Sequence, residues 1–137
     1  EILSGLVGSE MCIRDRGYVD DMASAYAAAD LMVARSGAGT VVETATVGLP
    51  TIYVPLPHGN GEQARNATSA VDAGAGVVVA NADLDVERLL AETARIHDAD
   101  VLAQMSAAGR GLMPAHAAEE MAVRVISAAT SIDPTIG

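Results

Sequence analysis

Short apolar runs alternate along the chain with longer segments in which apolar residues recur at helical spacing. Three runs consist of apolar and β-branched residues, and they predict buried strands at residues 31–34, 51–54 and 76–79. The longer segments predict a helix beginning at Asp20 and Asp21 and helices over residues 40–47, 62–73, 101–108 and 115–129. One further helix carries a single apolar stripe of Val86, Leu89, Leu90, Thr93 and Ile96.

Glycine, proline and aspartate mark the ends of these segments. Gly48 and Gly74 stand where a left-handed cap ends a helix, and Pro50 prevents the preceding helix from continuing. Asp20 and Asp21 suit a helix amino end, because carboxylates accept hydrogen bonds from free N–H groups. In the last helix the spacing predicts four inward residues, which are Ala118, Met121, Ala122 and Val125.

Apolar strands separated by helices indicate a parallel sheet with helices on both faces. We therefore predict an α/β fold with a Rossmann-like, doubly wound parallel sheet. Complete domains of this kind have about five or six strands, and only three are predicted here. We expect residues 17–137 to form part of such a domain, with further strands encoded upstream.

Residues 1–16 differ from the rest because they have no clear strand or helix period. Within them, residues 7–16 resemble the translated sequencing-adapter peptide found at the ends of some metagenomic reading frames. We therefore predict that residues 1–16 are non-native or disordered and form no part of the fold. A native surface loop is the alternative.

Composition restricts both the core and the partners of the chain. With three Tyr and no Phe or Trp, the core must consist mainly of small aliphatic residues, which bury little area each and predict modest stability. The formal charge of −10 disfavours binding to nucleic acid or anionic lipid. The single Cys12 excludes an internal disulfide. No run approaches the roughly 20 apolar residues of a membrane span, so we expect a cytoplasmic domain.

Two loops follow predicted strands, at the sheet edge where parallel sheets bind ligands. In residues 35–40 the small residues Gly37, Ala38 and Gly39 precede a helix, whose free N–H groups and dipole favour a phosphate. The hydroxyls of Ser36 and Thr40 offer further donors. The loop lacks the third glycine of a dinucleotide-binding fingerprint and the Gly-Lys-Ser/Thr of a P-loop. An ordinary strand-to-helix turn is the alternative.

Glu43 has two interpretations. Thr40 and Glu43 have the spacing of a capping box, in which the glutamate accepts a hydrogen bond from the cap N–H. Alternatively, the carboxylate accepts two hydrogen bonds from a ribose diol next to the phosphate, since an ionised carboxylate only accepts. Spacing alone slightly favours the cap.

The second loop, residues 56–61, leads into a helix that begins with Glu62 and Gln63. An adjacent acid and amide suit the hydroxyls of a sugar, although a solvated helix end has the same composition. The three histidines, His58, His97 and His116, lack metal-ligand spacing. No nucleophile and base stand at catalytic spacing, so we predict no catalytic residue and no metal site in this chain.

Taken together, several ordered motifs resemble the MurG family of peptidoglycan N-acetylglucosaminyltransferases. They are Gly-Tyr-Val-Asp-Asp-Met at 17–22, Ala-Asp-Leu at 29–31, Arg-Ser-Gly-Ala-Gly-Thr-Val-Val-Glu at 35–43, Gly-Leu-Pro-Thr-Ile-Tyr-Val-Pro at 48–55, and His-x-x-x-Glu-Gln-x-x-Asn-Ala at 58–67. Clear motifs cover residues 17–79, and the general pattern extends to residue 129.

The resemblance implies a GT-B fold, with this chain in the C-terminal, donor-binding half. The family transfers N-acetylglucosamine, with inversion, from UDP-N-acetylglucosamine to lipid I, and it requires no cofactor. It works as a peripheral enzyme on the inner, cytoplasmic face of the cell membrane. The resemblance places the general base, the acceptor pocket and the membrane-docking surface on the N-terminal domain. We therefore expect this polypeptide to be inactive alone.

The resemblance also implies site residues in this numbering. Val19 would hold uracil through backbone atoms, and Glu43 would bind the ribose. The diphosphate would lie against Ser36, Ala38, Gly39 and Thr40. Glu62 and Gln63 would contact the donor sugar, although some family members have Gln where this chain has Glu62. Gly39 replaces a larger residue that is common at its place in the family.

Two alternatives remain open at this point. The chain fits the donor domain of another GT-B enzyme that uses a different nucleotide sugar, such as an antibiotic glycosyltransferase or a sugar epimerase. It also fits a small α/β module that binds a nucleotide without catalysis.

Overall fold

The computed structural model describes residues 15–58, 60–112 and 116–130. Its three strands are β1 (Met32–Ala34), β2 (Thr51–Tyr53) and β3 (Gly76–Val78). Helices α1 (Met22–Ala28), α2 (Ala38–Val47) and α3 (Glu62–Asp72) precede the three strands in turn. A 3-10 turn at Asn81–Asp83 then leads to α4 (Val86–Ile96), α5 (Ala99–Leu112) and α6 (Ala117–Thr130).

The strands form one parallel sheet in the order β1-β2-β3. Val33, Ile52 and Val77 stand side by side across it, so they point to the same face. Each connection between neighbouring strands passes through a helix, as parallel pairing requires. The predicted α/β fold with a parallel sheet is confirmed, and each predicted strand is one residue longer than the observed one.

Two packed clusters lie on opposite faces of the central strand β2. On one face Tyr53 packs with small residues of α2, α3 and the start of β3, which are Val41, Ala67, Ala70 and Ala75. On the other face Ile52 packs with Val79, Ile96 of α4 and Met105 of α5. Alternation along the strand sends these neighbouring side chains to opposite sides. The core is therefore built mostly from small aliphatic residues, as the composition predicts.

Tyr53 occupies the centre of its cluster because its neighbours are small. Its hydroxyl lies 2.8 Å from Thr44 Oγ1 of α2, which pairs two buried polar groups. A Cβ atom at Gly76, which pairs with Thr51 in the sheet, would lie 2.6 Å from the Tyr53 ring, so this position must be glycine. Tyr53 of β2, the one large aromatic residue of the core, thus contacts both α2 and β3.

The observed helices correct several predictions. Helix α2 begins at Ala38, two residues earlier than expected, and α5 extends beyond residues 101–108 in both directions. Met121 and Val125 of α6 are 63% and 60% exposed, so their predicted inward orientation is wrong, as it is for Ala118 and Ala122. Periodicity identifies an apolar stripe, but it does not reveal whether a partner covers that stripe.

Coverage of the sheet by helices is also incomplete. Val33 of the edge strand β1 is 46% exposed, whereas all of β2 is buried. In α4 the residues of the predicted apolar stripe differ in burial, because Ile96 is buried while Val86 and Leu90 are exposed. Within the described ranges, no helix combines the length and apolarity needed to cross a bilayer. Residues 1–14 of the predicted non-native stretch, and residue 115, lie outside the described residues.

The predicted helix ends at Asp21, Gly48 and Gly74 are confirmed. The Asp21 side chain accepts a hydrogen bond from the Ser24 amide at 3.0 Å. Hydrogen bonding from the Ser24 side chain, and next from its amide, lowers the pKa of the Asp21 carboxyl group. Gly48 and Gly74 both have left-handed backbones, with φ of 70° and 81°. Their surroundings differ, because a Cβ at Gly48 would lie 2.7 Å from Arg110 and 2.8 Å from the Ser106 carbonyl oxygen. A Cβ at Gly74 would meet nothing within 4 Å.

This difference predicts unequal effects of the same substitution. Gly74→Ala should destabilise the fold by about 1–2 kcal/mol, the cost of a left-handed backbone for a non-glycine residue. Gly48→Ala should cost about 1–3 kcal/mol more, because α5 must also move away from the new methyl group. Urea unfolding of both variants measures the two values, and equal destabilisation would contradict the proposed packing of α5 on Gly48.

Candidate functional site

The carboxyl ends of the three strands meet at one edge of the sheet, and Arg35 joins the loops that leave them. Arg35 directly follows β1 in the chain. Its Nη1 atom donates to the carbonyl oxygens of Val54 and Pro55 at 3.1 and 3.3 Å. The same atom lies 2.7 Å from Oδ1 of Asn81, which follows β3. One guanidinium group therefore holds three loops together at the edge where parallel sheets bind ligands.

Helix α2 begins at this edge without a side-chain cap. Gly37 is the N-cap residue, and its extended backbone (φ −61°, ψ 150°) directs the chain into the helix. The first amide that bonds into the helix is that of Val41, which donates to the Gly37 carbonyl at 3.0 Å. The amides of Ala38, Gly39 and Thr40 have no acceptor among the described residues. The helix therefore presents three unpaired donors together with its positive dipole end.

The residues that carry these donors are at least partly exposed, and the preceding loop is held by α3. Ala38 and Gly39 are exposed, and Thr40 is half-buried. Ser36 is completely buried, and its carbonyl accepts a hydrogen bond from Asn66 Nδ2 of α3 at 3.2 Å. The Ser36 hydroxyl has no partner among the described residues. Because Ser36 has no exposed surface, its predicted contact with a ligand stays a prediction.

Glu43 does not form the capping box. Because α2 starts at Ala38, Glu43 lies in the second turn of the helix, away from the cap. Its Oε2 atom instead accepts a hydrogen bond from the Tyr26 hydroxyl of α1 at 2.8 Å. Its Oε1 atom lies 3.8 Å from the position that a Cβ would take at Gly39. The second carboxylate oxygen therefore lies beside the helix turn that carries the unpaired amides.

The Tyr26 side chain is strongly perturbed by its surroundings. Burial, the hydrogen bond to Glu43 and the negative charge of Glu43, in that order, raise the pKa of Tyr26 to about 12. All three effects favour the neutral phenol, because a phenolate here would be desolvated and would lie against a carboxylate. Tyr26 is therefore a hydrogen-bond donor throughout the physiological pH range.

The second predicted loop lies close by, because α3 contacts both loops. Gln63 Oε1 accepts a hydrogen bond from the Leu56 amide at 2.9 Å, which closes the loop between β2 and α3. Glu62 is exposed in the first turn of α3, whose N-cap Gly61 supplies no side chain. Asn66, one turn further along α3, holds Ser36. Val19 is half-buried before α1, and the Tyr26–Glu43 bond links that helix to α2.

Three residues of this arrangement were not predicted as site residues from the sequence. Tyr26 fits the apolar stripe of α1, and Asn66 fits a solvated helix face, so neither signals a site. Arg35 directly follows a buried strand at the ligand-binding edge, and that position was the available signal. In the part of the chain that the structure describes, no three His, Cys, Asp or Glu side chains group as metal ligands.

A cleft of about 520 Å³ lies at the opposite, amino edge of the sheet. It is lined by α1, by the segments before β1 and β2 and by α5, and its charged residues are Asp30 and Arg110. Tyr26 of α1 therefore borders this cleft as well as contacting Glu43. Arg110 is partly engaged there, because its Nε donates to the Val47 carbonyl at 3.2 Å. The unpaired amides and Glu43 favour the carboxyl edge as the functional site.

Comparison with known proteins identifies the family of the chain. Residues 11–122 match the model of the glycosyltransferase family 28 C-terminal domain. A protein of Nocardioides sp. is 49% identical over 106 residues, which are 77% of this chain and 29% of that protein. One of Mycolicibacterium paratuberculosis is 58% identical over 92 residues, which are 66% of this chain and 22% of that protein. Both are named UDP-N-acetylglucosamine–N-acetylmuramyl-(pentapeptide) pyrophosphoryl-undecaprenol N-acetylglucosamine transferase.

A solved structure shows the same family likeness. The crystal structure of Acinetobacter baumannii MurG superposes with a TM-score of 0.74 and 30% identity, over 80% of this chain and 33% of that one. The chain thus spans a third or less of the length of these relatives. The family model, the sequence identities and the shared fold agree, and the chain therefore belongs to glycosyltransferase family 28, as a C-terminal domain of the MurG type.

Proposed function

We propose that the carboxyl edge of this domain binds the UDP part of UDP-N-acetylglucosamine, within an enzyme that transfers N-acetylglucosamine to lipid I. The observation that carries this proposal is the amino end of α2, where three amides have no acceptor among the described residues and the Glu43 carboxylate lies one turn away. The names of the relatives supply the donor and acceptor. The geometry supports a ligand that combines an anion with neighbouring hydroxyl groups.

The diphosphate would bind at the amides of Ala38, Gly39 and Thr40. Backbone amides at a helix amino end donate to phosphate oxygens, and the dipole adds a favourable field. Negative charge grows on the diphosphate as the bond to the sugar breaks, so fixed donors there stabilise departing UDP. This role needs no metal ion and no cofactor. Ser36 would support the loop from beneath.

Glu43 would accept hydrogen bonds from the ribose. Its Oε2 is occupied by Tyr26, whereas Oε1 lies over Gly39, which has no side chain to cover it. Val19, before the helix that carries Tyr26, would hold uracil through backbone atoms. Glu62 and Gln63 would face the donor sugar. Gln63 has a second role, because its carbonyl oxygen already fixes the Leu56 amide and leaves its NH₂ group for a ligand.

The remaining functions would belong to parts of a protein of the relatives' length. These are the general base for the lipid I hydroxyl, the acceptor pocket and the peripheral contact with the inner face of the cell membrane. The formal charge of −10 agrees with this division, because so acidic a chain does not favour contact with anionic lipid.

The ribose assignment predicts the effect of Glu43→Ala on UDP binding. Loss of a charged acceptor should cost about 1.5–3 kcal/mol, or about 10–150-fold in affinity. Isothermal titration calorimetry with UDP, on the full-length gene product that contains these residues, measures this loss of affinity. Glu87→Ala is the matched control, because it removes an exposed carboxylate from α4. Loss of negative charge alone would strengthen UDP binding, so unchanged or tighter binding by Glu43→Ala would contradict the assignment.

The anion site predicts opposite effects of Ala38→Glu on folding and on binding. A carboxylate in the first helix turn should keep or raise stability, by up to about 1 kcal/mol, because it complements the dipole. The same charge should weaken UDP binding at least about tenfold through repulsion of the diphosphate, while the binding of uridine changes little. Ala99→Glu makes the same change at the first residue of α5 and should leave both affinities unaltered. Equal UDP affinities for Ala38→Glu and Ala99→Glu would place the diphosphate elsewhere.

A further inference from the structure

The Tyr26–Glu43 hydrogen bond connects two helices at the edge of the proposed nucleotide site. Tyr26 lies in α1, 17 residues before Glu43 in α2, and the O–O distance is 2.8 Å. Helix α1 has seven residues, and none of them is fully buried, although Tyr26 is partly buried. Its position therefore depends on a few specific contacts with α2, and this is the one side-chain hydrogen bond between the two helices in the described residues.

The two oxygens of the Glu43 carboxylate have different surroundings because of this bond. Oε2 accepts from Tyr26, so the carboxylate plane is fixed at one side. Oε1 lies toward Gly39, 3.8 Å from the Cβ position there, on the side of the unpaired amides. The terminal torsion of a free glutamate is broad, so without Tyr26 the carboxylate would sample many orientations. A fixed acceptor loses less conformational freedom when it binds a ligand.

We propose that Tyr26 is a positioning residue, which orients the Glu43 carboxylate toward the ribose hydroxyls of the nucleotide; this inference rests on the proposed UDP site. Tyr26 reaches the ligand only through Glu43, so its removal should weaken recognition of the hydroxyl groups alone. It also couples the segment of Val19, which precedes α1, to the ribose acceptor on α2.

A titration in alkali checks the contact in solution. Ultraviolet absorbance of the phenolates follows the ionisation of the three tyrosines together, and subtracting the titration of Tyr26→Phe isolates Tyr26. The pKa of Tyr26, about 12, should fall in Glu43→Ala toward the ordinary value of 10, and part of the elevation should remain because burial is its largest cause. A Tyr26 pKa that is identical in Glu43→Ala and the parent would show that the bond is absent, and the proposal would be wrong.

The decisive experiment compares two ligands, UDP and 2′,3′-dideoxyuridine diphosphate, by titration of the full-length gene product. The ratio of their affinities isolates the ribose hydroxyls, because the base and the diphosphate are the same. Tyr26→Phe keeps the ring and removes only the hydroxyl. Tyr26→Phe should reduce the preference for UDP over the dideoxy ligand about fivefold, the usual effect of one hydrogen bond. The affinity for the dideoxy ligand should not change. A purely structural role would weaken both ligands equally and would leave the ratio unaltered.

Tyr53→Phe is the matched control, because it removes a tyrosine hydroxyl that bonds Thr44, the residue next to Glu43 on α2. It should lower the unfolding free energy and leave the ratio unchanged. If Glu43→Ala abolishes discrimination while Tyr26→Phe preserves it, the positioning role is wrong and the proposed UDP site stands. If Glu43→Ala leaves discrimination intact, both the ribose assignment and the role of Tyr26 are wrong.

Discussion

The arrangement at the carboxyl edge of the sheet depends on the first turn of α2, which begins without a side chain to satisfy its amides. Helix amino ends normally find acceptors in a capping side chain or in water. Here Gly37 supplies the cap position without a side chain, and Ala38 and Gly39 leave the donors uncovered. A cluster of oriented, unpaired amides is a binding site for an anion before any ligand arrives. This property links the fold to the proposed chemistry.

The surrounding contacts hold that turn in place. Asn66 fixes the carbonyl of Ser36 before the turn, and Tyr53 binds Thr44 after it. Arg35 hydrogen-bonds to the segments that follow the neighbouring strands β2 and β3. Preorganised donors cost little reorganisation when charge develops on a leaving group.

The sequence predicts the sheet well and the helix contacts less well. Strands 51–54 and 76–79 were recognisable because buried parallel strands are apolar throughout. The start of α2 was misplaced because Thr40 and Glu43 have capping-box spacing, while an extended glycine at position 37 begins the helix earlier. The partner of Glu43 could not be predicted, since Tyr26 comes from another helix and its spacing fits an ordinary apolar stripe. Met121 and Val125 show the same limit, because a stripe does not identify what covers it.

Chemical-shift mapping of UDP binding tests the central claim most directly. Isotope-labelled protein, titrated with UDP, reports each backbone amide separately. The largest shifts should occur at Ala38, Gly39 and Thr40, because their N–H groups gain phosphate acceptors. Shifts centred instead on the amino-edge cleft around Asp30 and Arg110, with the first turn of α2 unchanged, would contradict this account of the domain.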